Sequence, residues 1–179
     1  MSEHPFTDVI IIPAHNRRAM TLACLQALRA DAVAAWAAIL VVDDGSTDGT
    51  RNAVEYEFPS VSVLPGDGSW WWCGAIRRGM EWALTRGAER IFWLNDDCRP
   101  PAEALRALRD FTVQSGAVAW IDARTPNGWS YGGHRRTCWG MRRCTPAEEQ
   151  AGRVESFSGN CVCLPRAWLE RAGLPHDSG

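Results

Sequence analysis

Four short stretches hold the residues best suited to chemistry: Pro13-Ala14-His15-Asn16, Asp43-Asp44-Gly45-Ser46, Gly66-Asp67-Gly68-Ser69 and Asn95-Asp96-Asp97. Two of them set carboxylates side by side, which costs repulsion unless hydrogen bonds or a cation compensate it. Asp96 and Asp97 offer hard oxygen ligands of the sort that Mg²⁺ or Mn²⁺ uses when it links a protein to substrate phosphates. Gly45, Gly66 and Gly68 let backbone approach a ligand closely. The same residues also have plainer readings: Asp43 as a turn cap, Ser46 or Thr47 as a helix cap, and Asn95 to Asp97 as a turn before Pro100 and Pro101. For His15 a hydrogen-bonded loop residue is at least as good a reading as proton transfer.

The elements between these stretches give them a common address. DVIII from Asp8 to Ile12 reads as a buried strand closed by Pro13, and Ala19, Leu22, Leu25 and Leu28 recur at helical spacing in 18–30. Strands follow at 39–42, 61–64, 90–94 and 117–121, with helices at 51–58, about 75–86 and about 102–114 between them. Such a βαβαβ series specifies an α/β fold with a parallel sheet. Ligands of an open parallel sheet bind beyond the carboxyl ends of the strands, where all four stretches lie. Beyond Asp122 the pattern weakens: 123–147 reads as a long functional loop, followed by short strands at 154–157 and 161–164 and a helix at 166–172.

In this order and spacing, IIIPAHNR, VVDDGSTDGT, GDGSWWWCGAIRRGMEWAL and FWLNDD resemble the glycosyltransferases of family 2. The resemblance runs from about Val9 to Leu174 and includes FSGNCVCLPRAWLERAGLP. It implies the GT-A fold, a Rossmann-like, mostly parallel central sheet flanked by helices. It also implies an inverting transfer of sugar from a UDP- or dTDP-linked donor to the hydroxyl of a glycan or lipid-linked acceptor, as in polysaccharide or cell-surface glycan synthesis. Matched residue by residue, Pro13, Ala14, His15, Asp44 and Asp67 belong to the nucleotide site, with Asp44 accepting from a base N–H and Arg77 the weaker candidate for the diphosphate. Asp97 becomes the metal ligand and Asp96 a ribose or second metal contact, for Mg²⁺ or Mn²⁺. Asn95 stands where the commoner motif has its first carboxylate. Residues 1–122 then form the donor half of a single domain and 123–179 the start of an acceptor half. The family's catalytic base is expected beyond Gly179, with Asp177 too near the terminus to be held as a base needs.

Composition narrows the alternatives. Nineteen basic against 21 acidic residues give a charge of −2, so there is no global basic field for nucleic acid. All the basic residues are arginine, which rules out Schiff-base chemistry and a P-loop lysine. No G-x-G-x-x-G follows a strand, which disfavours a dinucleotide oxidoreductase; a non-catalytic nucleotide- or glycan-binding module remains the rival reading. The first residues lack a signal peptide's basic start and apolar stretch, and seven scattered cysteines suit a reducing cytoplasm, where any membrane contact would be peripheral, at the inner face. Cys138, Cys144, Cys161 and Cys163 with His134 depart from the usual zinc-knuckle spacing and read better as small buried hydrophobes. Ten tryptophans, three of them consecutive at 70–72, exceed what a core needs, so one of them or Trp129 or Trp139 suits a sugar face. Arg124, Arg135, Arg136, Arg142 and Arg143 make 123–147 a positive patch suited to a phosphate-bearing acceptor or an anionic surface.

Overall fold

The structure, a computed structural model, describes residues 7–124, 130–131, 133–138, 140–144 and 154–175, and of residues 123, 124, 130, 131 and 143 the backbone alone. Its centre is a six-stranded sheet built from β1 (Asp8–Ala14), β2 (Ala38–Asp43), β3 (Ser62–Pro65), β4 (Arg90–Leu94), β5 (Ala119–Trp120) and a late strand, β10 (Cys161–Pro165). The spatial order is β3-β2-β1-β4-β10-β5. The β1–β2, β2–β3 and β1–β4 pairings are parallel, and β10 runs antiparallel to both β4 and β5.

Alternation along the strands divides the core into two layers. Ile10, Ile12, Cys161 and Cys163 face the side covered by α1 (Arg18–Ala30), α2 (Thr50–Glu57) and α4 (Ala102–Ser115). Val9, Ile11, Val162 and Leu164 face α3 (Trp71–Thr85) and the last helix, α5 (Arg166–Ala172). A sheet covered on both faces explains why the strands read as continuous apolar runs instead of alternating. Residues from before and after Asp122 share both layers. Burial pushes the thiols of Cys24 and Cys163 up to about 12, which fits small core hydrophobes. Gly79 brings α3 against the sheet, since a Cβ there would lie 2.6 Å from Ile11 Cγ2.

The structure differs from the sequence reading in four places. Strand β1 continues through Pro13 to Ala14; its pairing with β4 has ended at Ile11, so only β2 flanks its last residues and a missing N–H is tolerated there. Helix α3 begins at Trp71, a turn earlier than expected. The expected strand at 154–157 is a single bridge, Ser156 to His134, because β10 already has a partner on each side. The described part of 123–147 is two small antiparallel hairpins instead of a loop: β6 (Ala123–Arg124) with β7 (Ser130–Tyr131), and β8 (His134–Thr137) with β9 (Gly140–Arg143). Among the described residues no helix is long and apolar enough to cross a membrane.

Candidate donor-binding site

The carboxyl ends of the first three strands are level: Ala14 is in register with Asp43, and Asp43 with Pro65. The loops beyond them are tied together by backbone and side-chain bonds. Asp44 N–H donates to the Ala14 carbonyl at 2.9 Å, and Gly66 N–H to the Asp43 carbonyl at 2.7 Å. Asn16 N–H donates to Ser46 Oγ at 2.8 Å and Asn16 Oδ1 accepts from Thr47 N–H at 2.7 Å. His15 Nδ1 contacts the Asp44 carbonyl, which requires the proton on Nδ1 and leaves Nε2 to accept from the Asn16 amide at 3.0 Å. His15 is thus a stitch between two loops.

Asp44 organises the next element. Its buried carboxylate accepts from Gly68 N–H at 2.8 Å through Oδ1, and from Trp70 and Trp71 N–H at 3.0 and 2.9 Å through Oδ2. A negative charge that collects the leading N–H groups of a helix starts that helix, which accounts for the early beginning of α3. It also holds Trp71 at φ +54°, a left-handed conformation that costs a bulky residue roughly 1–2 kcal/mol. The Trp71 indole is 82% exposed as a result. Gly45, at φ +67°, permits the crossing below, because a Cβ there would fall 2.6 Å from Gly68 N. Asp43 accepts from Ser46 N–H at 3.1 Å, the turn-cap reading.

These loops enclose a cleft of about 360 Å³. It is lined by Pro13, Ala14, His15, Arg17, Asp44 and Gly68, and by Trp71, Trp72 and Ala75 of α3. Pro13, Ala14, His15 and Asp44 are therefore brought together as the sequence suggested. Asp67 is exposed beside Gly68 and accepts from Ser69 N–H and Oγ at 3.0 and 2.5 Å, and the Ser69 hydroxyl holds its carboxyl below the usual range. Arg77 is not brought to the cleft: it pairs with Glu81 at 3.1 Å and reaches the Pro175 carbonyl at 3.5 Å.

At the end of β4 the three candidates have separate fates. Asn95 is engaged at both side-chain atoms, accepting from Trp72 Nε1 at 2.8 Å and donating to Asn160 Oδ1 at 2.9 Å. A carboxylate cannot make the second bond, so the departure from two acids here joins α3, β4 and the approach to β10. Asp96 is buried at 2% exposure, with Arg17 Nε 3.3 Å from Oδ1 and the Thr21 hydroxyl 3.1 Å from Oδ2. Burial raises its carboxyl above the usual range, and Arg17 and Thr21 oppose that. Asp97 is about half exposed, with Oδ2 3.2 Å from Arg17 Nη2. Among the described residues no three His, Cys, Asp or Glu side chains gather as a metal cage. A divalent ion carried with phosphates needs only one or two carboxylates, and exposed Asp97 fits that demand where buried Asp96 does not.

The sequence reading missed Arg17 and the particular role of Trp71. Arg17 had a partial signal, one of two consecutive arginines following PAHN at the end of the first strand, but nothing local told it apart from Arg18. The left-handed Trp71 had none, because it depends on a carboxylate 27 residues away.

A family model described as glycosyl transferase family 2 matches residues 9–172. No curated protein matches the chain. Among solved structures, the chain is similar to the mannosyltransferase PcManGT from Pyrobaculum calidifontis in complex with GDP-Man and Mn²⁺, at 18% identity and a TM-score of 0.71, covering 96% of this chain and 48% of that one. It is also similar to S. aureus TarS 1-349 in complex with UDP-GlcNAc, at 17% identity and a TM-score of 0.61, covering 92% of this chain and 46% of that one. The chain thus spans about half the length of these structures.

Proposed function

The chain belongs to glycosyl transferase family 2 and has the GT-A fold, and on that premise we propose that its cleft binds the nucleoside diphosphate of a sugar donor. The observation that carries this reading is Arg17, which lines the cleft and also contacts both Asp96 and Asp97, so that a nucleoside-sized pocket and an acid pair open on one another. Pro13, Ala14 and His15 form the nucleoside wall. Asp44 Oδ1, which accepts one protein bond, keeps a lone pair for a base N–H, and N3–H of the uracil or thymine of a UDP- or dTDP-linked donor suits it. Trp71 offers an indole face to the base or sugar.

Asp97 would hold Mg²⁺ or Mn²⁺, and that ion when bound would offset charge on the leaving diphosphate. Asp96, buried behind it, holds Arg17 in place. An acceptor hydroxyl, its proton taken by a base, attacks the anomeric carbon and displaces the diphosphate in a single inverting step, and the β8–β9 hairpin, which carries Arg135, Arg136 and Arg142, would serve the acceptor. The likeness of PcManGT with GDP-Man and Mn²⁺ and of TarS with UDP-GlcNAc supports a nucleotide-sugar donor.

The test is a calorimetric panel of UDP, dTDP and GDP with and without Mn²⁺. UDP or dTDP is expected to bind tenfold or more tightly with Mn²⁺ than without it, and Asp97→Ala to abolish that gain. A chain that binds none of the three, or an Asp97→Ala variant with undiminished Mn²⁺ dependence, sinks the reading.

A further inference from the structure

Asp96 and Asp97 are adjacent acids at the end of one strand, and the charge that answers them is a side chain. Arg17 sits at the N-cap of α1, its Nε 3.3 Å from Asp96 Oδ1 and its Nη2 3.2 Å from Asp97 Oδ2. Both distances exceed the 2.7–2.9 Å or so of a strong charge-assisted bond, and the guanidinium straddles two carboxylates instead of forking onto one. Its side chain is 43% exposed and lines the cleft. The neighbouring Arg99 is committed elsewhere, donating to the carbonyls of Asp96, Cys98 and Met20 at 2.6, 2.7 and 3.1 Å.

We propose that Arg17 is a resident counter-cation of the acid pair, whose charge opposes a divalent metal at Asp97 and which gives up Asp97 Oδ2 when the metal binds. The guanidinium compensates the pair when no donor is present and so keeps the metal-free site together. An incoming dication meets a like charge at a carboxylate whose Oδ2 is held by Arg17 and whose Oδ1 faces only the Cys98 thiol at 3.7 Å, so metal alone binds weakly. Once displaced, Arg17 remains beside the cleft, where the donor's phosphates give it new partners. This rests on the donor-site reading, since only there does Asp97 carry a metal.

The experiment titrates Mn²⁺ alone into the 179-residue chain and follows the loss of the free-ion signal by electron paramagnetic resonance. Arg17→Met is expected to bind Mn²⁺ about tenfold more tightly than the parent, the lower end of what one nearby charge does to a carboxylate. Arg17→Lys, which keeps the charge, is expected to stay within about twofold of the parent. A merely structural Arg17 would leave Mn²⁺ affinity unchanged or lower it on removal. If Arg17→Met fails to fold by circular dichroism, Arg17→Gln takes its place with the same expectation. Mn²⁺ binding that is unchanged, weaker or undetectable in the charge-free variant overturns the proposal, as does equal tightening in Arg17→Lys. Failure of the donor-site reading shows separately, as a parent chain that takes up no nucleoside diphosphate with Mn²⁺ present.

Discussion

The two aspartate pairs, Asp43-Asp44 after β2 and Asp96-Asp97 after β4, look alike in sequence and are satisfied in different ways. The first is answered by backbone: Ser46 N–H on Asp43, and the N–H groups of Gly68, Trp70 and Trp71 on Asp44. The second is answered by side chains, Arg17 across both acids and Thr21 on Asp96. Backbone donors cannot leave without unfolding a loop, so the first pair is architecture that also lines a cleft. A side-chain cation with 43% exposure can exchange, so the second pair is suited to a passing ion. Neighbouring carboxylates therefore announce a need for compensation without saying who supplies it.

The largest test of this contrast is Asp44→Ala. Three backbone donors lose a buried charged acceptor, and with charge-assisted bonds at about 1.5–3 kcal/mol each and incomplete additivity the chain should lose about 3–4 kcal/mol, or roughly 10 °C in Tm. A loss below about 1 kcal/mol in urea unfolding would show that the Trp71 turn stands without Asp44, and the contrast would fail.

A smaller effect is expected from the buried member of the second pair. Burial raises the Asp96 carboxyl above 3.8, so the folded chain holds that proton more tightly than the unfolded one. Its contribution therefore favours the fold at low pH and is lost as pH rises through the raised value. Relative to the parent, Asp96→Asn should gain stability as pH rises from below 3.8 through the raised value. Asp48 works in the opposite sense: the Thr50 hydroxyl lowers its carboxyl, so its contribution is present above the unfolded value and lost as pH falls. Melting curves of both chains across this range separate the two, and a parent that gains on Asp96→Asn as pH rises would mean that Arg17 outweighs burial.

The smallest effect on stability belongs to Asp97→Ala. It removes an exposed ion pair worth at most about 0.5–1 kcal/mol, and urea midpoints should barely move while Mn²⁺-assisted nucleotide binding disappears. A large stability loss would place Asp97 with the first pair as architecture.

Much of the fold was legible because burial on both faces leaves apolar runs such as DVIII and AILVV, and because amphipathic helices fall between them at regular intervals. The strand-end positions of Pro13 to Asn16, Asp43 to Ser46 and Asn95 to Asp97 followed from the same periodicity. What was illegible depended on distant partners. The 154–157 segment has the look of a strand, yet β10 is already paired with β4 and β5 and leaves it no ladder. Arg77 has the type and the helix position for a phosphate, yet Glu81 and the Pro175 carbonyl draw it elsewhere. Asp177, Trp129 and Trp139 lie outside the described residues.

The sequence by itself determined the layered α/β architecture, the family and the line of strand ends where a ligand would lie, because these follow from local periodicity and from motifs in fixed order. Tertiary structure alone decided which carboxylate is spent on backbone, which is buried against Arg17 and Thr21, and which remains half exposed. It also decided that Asn95 bridges Trp72 and Asn160 and that Trp71 turns its indole outward. The physical reason is that hydrogen-bond satisfaction is settled among groups far apart in the chain: Asp44 and Trp71, Arg17 and Asp97, Asn95 and Asn160 meet only when the sheet and its helices have closed.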